Sequence, residues 1–305
     1  MLLDAASLYF RAFYGVPDTV RAPSGVPVNA VRGFLDIIAR LVAEFEPTHL
    51  VACWDDDWRP QWRVDLIPTY KLHRVATTTE DGTAIEETPY LLDAQIPVIR
   101  AVLDALGICV LGAPQHEADD VVGSLARQAE ASVDVVTGDR DLFQLVDDSR
   151  NVRVIYTARG MSKLELVTDE VVRSKYGIDP GQYADFAVLR GDASDGLPGV
   201  AGIGEKTAAN LLNEYGDLHG IIAAAADNDI PMSASLRLKI TAAADYLEVA
   251  PKVVEVVPDL TFPPYDARIR SLTSERRAAM DKLTEEWGLG GSAKRVVEAL
   301  DHAAG

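Results

Sequence analysis

Short apolar runs alternate with longer stretches of helical period through the first half of the chain. Leu2-Leu3, Leu50 to Trp54, Ile108 to Leu111, Val133 to Thr137 and Val152 to Tyr156 read as strands. Between them Val31, Phe34, Leu35, Ile38, Leu41, Val42 and Phe45 fall on one face of a helix. The alternation predicts βαβ units and an α/β fold with a mostly parallel sheet flanked by helices. After about residue 180 the pattern turns to helices joined by glycine-rich turns, with Pro251, Pro258, Pro263 and Pro264 marking a less regular passage to the last helices. From Ala76 to Pro89 there is almost nothing apolar to bury, so this stretch is expected to be mobile or ordered only by a ligand.

Several of the strand-like runs end in acid. Asp4 closes the first, Asp55 the second, and Asp139 with Asp141 follows Val133 to Gly138. In an open α/β sheet the carboxyl ends of the strands line the ligand crevice, so these carboxylates are expected to converge. Glu117, Asp119 and Asp120 sit at the start of a helix carrying Val121, Val122 and Leu125, and Asp192 and Asp195 lie in a turn-rich stretch. A single acid in a first helical turn often only complements the helix dipole, and Asp beside Gly often only makes a turn. The set is not explained that way. Packed carboxylates repel and raise one another's pKa unless a cation lies between them, and a divalent ion with hard oxygen preference answers this while leaving room for water and phosphate.

The glycine-rich run Gly199-Val200-Ala201-Gly202-Ile203-Gly204-Glu205-Lys206-Thr207 lies between two amphipathic stretches and reads as a tight hairpin between helices. Amides at the start of the second helix would make an anion site, with Lys206 nearby. A Walker loop is excluded by spacing and by the lack of a preceding strand. A plain helix connection without ligand is the simpler alternative.

Composition sets outer limits. The chain has 305 residues, 48% hydrophobic and 25% charged, as expected of a globular protein of two lobes. No apolar run reaches membrane-span length, and Met1-Leu2-Leu3-Asp4 lacks the pattern of an export signal, so a cytoplasmic protein is expected. Cys53 and Cys109 each sit in a strand-like run, which suits buried thiols. The net charge of −18 argues against a polyanionic substrate at first sight. Local patches matter more: Arg59, Arg63, Lys71 and Arg74 form one basic stretch, and Arg237, Lys239, Lys252, Arg268, Arg270, Arg276 and Arg277 enrich the C-terminal part.

These residues together resemble the 5′ nuclease family of flap endonucleases and the N-terminal domain of bacterial DNA polymerase I. Leu2-Leu3-Asp4 with Arg11 to Tyr14, Trp54-Asp55, Pro68 to Arg74, Glu117 to Asp120, Thr137 to Asp141 and Gly191 to Gly199 occur in family order. Ala5 replaces the usual Gly, Trp54 a common Phe, and Gly196 a usual Asn; no carboxylate is lost. The resemblance implies a PIN-like nuclease core over residues 1–180, a helical arch at about 64–95, and a helix-hairpin-helix DNA-binding region with C-terminal helices over 181–305. It also implies a stand-alone monomer acting on flap, nicked or gapped DNA as a 5′ to 3′ exonuclease and 5′-flap endonuclease, in replication and repair.

Carried over by residue, it implies two divalent ions, Mg²⁺ or Mn²⁺. One lies near Asp4, Asp55, Glu117 and Asp119, and the other near Asp120, Asp139, Asp141, Asp192 and Asp195. Two ions roughly 4 Å apart can activate water on one side of a phosphodiester and stabilise the departing oxygen on the other. Lys71 and Arg74 are assigned to the scissile phosphate. Arg11, Tyr14 and Tyr70 are assigned to the DNA junction, Tyr70 by stacking, and Gly202, Gly204, Lys206 and Thr207 to duplex phosphate. Backbone carbonyls of Val200 and Ile203 resemble those holding a potassium ion in the family.

Two other classes compete. A haloacid-dehalogenase-type phosphatase would use Asp4 or Asp55 as nucleophile with a second Asp two residues on; Asp4 is followed there by Ala6, and Asp55 lies in an odd run with Asp56-Asp57. A DNA-binding module without catalysis would keep the hairpin and lose the core acids, yet all are present.

Overall fold

The structure, a computed structural model, describes residues 1–79 and 84–305. Its strands are β1 (Leu2–Asp4), β2 (Val51–Cys53), β3 (Val75–Thr78), β4 (Ala84–Glu86), β5 (Cys109–Leu111), β6 (Val133–Thr137), β7 (Val152–Tyr156) and β8 (Glu165–Val167). Six form one sheet in the order β5-β2-β1-β6-β7-β8, and β3 pairs with β4 alone. All neighbours in the large sheet are parallel except β8, which runs antiparallel to β7 at the edge. The five apolar runs each supply a strand. β8 was not legible, because Glu165-Leu166-Val167 is too short to show a pattern.

Consecutive side chains of a strand face opposite sides, and here both sides are dry. Leu2, Val51, Val135 and Val154 enter one core, while Leu3, Ala52, Val136 and Ile155 enter the other. Burial on both faces is why these strands read as continuous apolar runs and not as alternation.

The helices are α1 (Ala5–Gly15), α2 (Asn29–Phe45), α3 (Gln61–Leu66), α4 (Tyr90–Asp93), α5 (Ile96–Leu106), α6 (Ala118–Gln128), α7 (Asp169–Tyr176), α8 (Tyr183–Arg190), α9 (Glu205–Tyr215), α10 (Leu218–Ala226), α11 (Ala234–Ala242), α12 (Ala244–Val254), α13 (Ser274–Trp287) and α14 (Gly290–Ala303). α1, α2, α5, α13 and α14 supply the core on one face, and α6 with α8, α9, α10 and α12 the core on the other. The chain's last helices thus return to the α/β layer, α14 lying along α2 and α13 against α5.

Chain order runs from β1 through β2 to β5 on one side and through β6 to β7 on the other. The order reverses at β1 and β6, and a doubly wound sheet opens its crevice at the carboxyl ends beside that point.

The helical arch implied for about 64–95 is corrected. Among the described residues this segment holds the end of α3, a single 3-10 turn (Leu72–Arg74), the antiparallel ribbon of β3 and β4, and short α4. Val75, Thr77 and Thr78 are β-branched, and without an apolar face of helical period a helix here has no packing to stabilise it. The polar stretch expected to be mobile includes residues 80–83, which lie outside the described residues.

Candidate active site

Side-chain hydrogen bonds tie the strand ends together at the crevice. Asp4 ends β1 and caps α1 by accepting the Ser7 amide at 3.1 Å, while its other oxygen accepts from Thr137 Oγ1 at 2.7 Å. Thr137 Oγ1 in turn accepts the Asp139 amide at 2.9 Å, and Ser7 Oγ the Gly138 amide at 2.8 Å. The ends of β1 and β6 are held in register by these bonds. Asp55, beyond β2, accepts the Ala118 amide at 2.7 Å and so draws the start of α6 onto the sheet.

The result is a polar cavity of about 330 Å³ whose wall includes Asp4, Asp55, Glu117, Asp119, Asp139 and Asp192, with Lys71 and Arg74 among them. Glu86 from the ribbon, Trp58, Phe10 and Arg140 complete the wall, and none of the four was singled out from the sequence. Asp141 and Asp195 stand just outside it. Asp141 has a buried Oδ1 with no hydrogen-bond partner, a costly arrangement for a carboxylate oxygen.

Burial, then mutual repulsion, governs the titration of these groups. Asp4 is pushed up to about 7 by desolvation, with Asp55 and Asp139 adding repulsion against the hydrogen bonds from Thr137 and Ser7. Asp55, Asp119, Asp139 and Asp141 are likewise raised, burial being the largest cause in each. Among the described residues no three His, Cys, Asp or Glu side chains are already gathered closely enough to hold a metal ion between them. Carboxylates around an open cavity, with the orphaned oxygen of Asp141 just beyond its wall, fit a hard cation that keeps part of its water shell.

Glu117 joins the cavity to a buried network. Its Oε1 accepts from Lys71 Nζ at 2.7 Å, and its Oε2 from the Tyr70 hydroxyl at 2.7 Å and from Arg63 Nη1 at 3.0 Å. Burial alone would lower the Lys71 ammonium, but Glu117 and its neighbours hold it well above its ordinary value. Two sequence expectations are corrected here. Tyr70 is 3% exposed and its ring is packed inside, so it offers no stacking face. Asp120 is fully buried and faces away from the cavity: Arg63 grips both its oxygens, at 2.8 and 2.7 Å, and the Val257 amide donates to it at 3.0 Å. Its lone pairs are spent on structure, so we do not retain it as a metal ligand. Arg63 had appeared only as part of a basic stretch; no local sequence signal marks a buried arginine.

The turn carrying Asp192 and Asp195 closes onto the segment of Lys71. Arg74 Nη2 donates to Asp195 Oδ1 at 2.9 Å and to the Ser194 carbonyl at 2.7 Å, and the Lys71 amide donates to the Asp195 carbonyl at 2.9 Å. Gly196 makes this approach feasible: its φ is +71°, and a Cβ would lie 2.1 Å from the Thr69 carbonyl oxygen. Arg190 also reaches Asp192 Oδ2 at 3.2 Å.

The glycine-rich hairpin links α8 to α9, outside this cavity. Val200 donates its amide to the Leu189 carbonyl at 2.9 Å, and Gly204 is the N-cap of α9 with no side chain over the helix start. The Thr207 amide donates to the Gly204 carbonyl at 3.0 Å, while the first-turn amides of Glu205 and Lys206 are oriented for an anion, as at any helix start. Gly202 has φ +75°, but Gly204 has φ −100° and needs no glycine for its backbone conformation. Lys239 Nζ donates to the Gly202 carbonyl at 2.9 Å, and the Val200 carbonyl accepts the Ile203 amide at 2.9 Å. Toward α1, Arg11 has a buried Nε without a partner, and Tyr14 is 73% exposed.

Residues 1–177 match the family described as 5′-3′ exonuclease, N-terminal resolvase-like domain, and residues 178–275 the one described as 5′-3′ exonuclease, C-terminal SAM fold. A 5′-3′ exonuclease of Streptomyces coelicolor is 56% identical over 300 residues, covering 98% of this chain and 99% of its own. DNA polymerase I of Mycobacterium tuberculosis is 45% identical over 226 residues, 73% of this chain and 24% of the polymerase. Among solved structures, the bacteriophage T5 D15 flap endonuclease, in a complex with DNA and metal ions, shares the fold with a TM-score of 0.62 at 17% identity, over 98% of both chains.

Proposed function

This chain belongs to the 5′-3′ exonuclease family, and from that premise we propose that it hydrolyses phosphodiester bonds at the junction of a 5′ single strand with duplex DNA, in primer or flap removal during replication and repair. The observation that carries the reading is the convergence of seven carboxylates, from strand ends, the start of α6, the ribbon and the turn before the hairpin, on one cavity that also holds Lys71 and Arg74.

Asp4, Asp55, Glu117 and Asp119 would hold one divalent ion, and Asp139, Asp141, Asp192 and Asp195 a second; Mg²⁺ and Mn²⁺ suit all-oxygen sets that leave positions for water. When bound, such ions supply activation of the attacking water and neutralisation of charge on the departing oxygen. The chain's own part is positioning and charge. Lys71, resting on Glu117, lies within the cavity and can exchange its carboxylate for a phosphate oxygen. Arg74 is oriented by Asp195 and the Ser194 carbonyl and offers its remaining donors to the same phosphate. Thr137 and Ser7 fix Asp4, so its orientation does not have to be acquired on binding. Cleavage leaves a 5′ phosphate and a 3′ hydroxyl.

Duplex DNA is held away from the cut, by the α9 amides with Lys206 and Thr207, where Gly204 lets a phosphate approach the backbone; carbonyls of Val200 and Ile203 would hold a potassium ion there. Arg11 and Tyr14 line a neighbouring cavity with Ser7 and Phe10 and would meet the DNA at the junction. We take the nuclease core as residues 1–180 and the DNA-binding helices as following it, and the enzyme as a monomer.

A 5′-labelled flap duplex incubated with the protein and Mg²⁺ or Mn²⁺, against chelator, tests the proposal. Cut products near the junction in metal alone are expected. Metal-independent cutting, or none on any flap, nick or 5′ end, would overturn it.

A further inference from the structure

Arg63 is enclosed beside the site without lining the cavity. Its side chain is 2% exposed, and Asp120 and Glu117, which it bridges, are 0% and 4% exposed. Each part of the guanidinium is engaged: Nη1 with Glu117 and Asp120, Nη2 with Asp120, Nε with the Val253 carbonyl at 3.1 Å. The Trp62 ring lies 4.5 Å from its centre. Breaking a buried pair is costly, and replacing one by apolar groups is often neutral, so stability alone does not call for this arrangement.

Its consequence for Glu117 is specific. One oxygen, Oε2, receives two buried donors, from Arg63 and from the Tyr70 hydroxyl. The other, Oε1, is on the side of the cavity-lining Lys71 and, among the described residues, meets that side chain alone. Tyr70 is 3% exposed and its hydroxyl donates to Oε2 at 2.7 Å. A lysine could not replace Arg63 here, because only a planar fork reaches two carboxylates and a carbonyl at once.

We propose that Arg63, with Tyr70, is a positioning residue for the reaction: together they lock one oxygen of Glu117 so that the other alone is presented to the metal and to Lys71. The Arg63 contact with Val253, and the Asp120 contact with the Val257 amide, extend this lock to the end of α12. The inference rests on the nuclease reading above.

The test is single-turnover cleavage of the labelled flap duplex in Mn²⁺, with affinity for the same DNA measured in Ca²⁺ and folding followed by circular dichroism. Arg63→Lys keeps the buried charge, and Tyr70→Phe removes one hydroxyl and leaves the fold intact even if the first variant does not fold. About a 100-fold loss of rate for Arg63→Lys and about tenfold for Tyr70→Phe are expected, with DNA affinity within about threefold, since misplacing a catalytic group by about 1 Å costs this much. In a Glu117→Gln background Tyr70→Phe should add little, because both act through the same group. A folded Arg63→Lys or a Tyr70→Phe with parental rate would overturn the proposal, as would multiplicative effects in the double variant. An inactive parent would instead sink the nuclease reading itself.

Discussion

Lys71 Nζ lies 2.7 Å from Glu117 Oε1, with side chains 12% and 4% exposed. A cation this enclosed beside a carboxylate that would otherwise face a metal is held in reserve: the charge is kept in the site before substrate arrives, at no cost of bringing it there later.

Lys71→Met and Arg74→Ala are therefore each expected to slow the bound complex about 100-fold or more, the loss typical for one transition-state donor. Affinity for flap DNA should change far less. Single-turnover rates and binding titrations separate the two, and a loss confined to affinity would reduce both residues to ordinary phosphate contacts.

Asp139→Asn and Asp141→Asn should abolish cleavage while leaving DNA binding largely intact. In chelator the same variants should melt no lower than the parent, and Asp141→Asn higher, since each removes a charge from a repelling, buried group. Near-parental turnover in both would end the assignment of these residues to metal.

The raised carboxylates also set a pH dependence. In the folded, metal-free protein Asp4 titrates at about 7 against an ordinary 3.8, and Asp119, Asp139 and Asp141 move the same way. A raised folded pKa means the native state keeps protons that the unfolded chain has released. The stabilising contribution is whole below about pH 4 and is lost as pH rises through about 7. The metal-free protein should then melt lower at about pH 8 than at about pH 6, and added Mg²⁺ should restore more at the higher pH. Melting curves with the opposite order would contradict the cluster's electrostatics.

The two hairpin glycines should behave differently. At Gly202 a side chain meets both a φ of +75° and Lys239 Nζ, 2.9 Å from the new Cβ, so Gly202→Val should lower stability as well as duplex affinity. A Cβ at Gly204 meets nothing within 4 Å. Gly204→Val should fold like the parent and still lose about tenfold or more in duplex affinity, by blocking phosphate approach to the α9 amides. Unchanged binding by Gly204→Val would leave the hairpin a structural connection.

Substrate entry can be probed at the ribbon beside Arg74. If the 5′ strand passes through the space it borders, a bulky cap placed on the flap before mixing should slow cleavage strongly, and one added after binding should trap a competent complex. Equal rates on capped and free flaps would exclude threading.

Much of the fold was legible because doubly covered strands must be largely apolar on both faces, which leaves five apolar runs in the sequence, broken only where Asp134 and Arg153 pair across β6 and β7, and because acids at the ends of such runs have few other uses. Asp4, Asp55 and Asp139 reach one cavity for that reason, and Asp119 joins them from the first turn of α6. What the sequence did not reveal depends on partners far along the chain. Asp120 looks like its neighbour Asp119, yet one helical step turns it toward Arg63, 57 residues away. Tyr70 reads as an aromatic beside a basic motif, and only packing shows its hydroxyl bound to Glu117. The segment after Arg74 carried a family expectation of helix, but β-branched residues without a surface to bury made a ribbon. Local chemistry and period were enough for strands, helix starts and acid clusters; which carboxylate faces the cavity and which faces arginine was decided by tertiary contacts, because direction, unlike composition, is set by what lies across the interface.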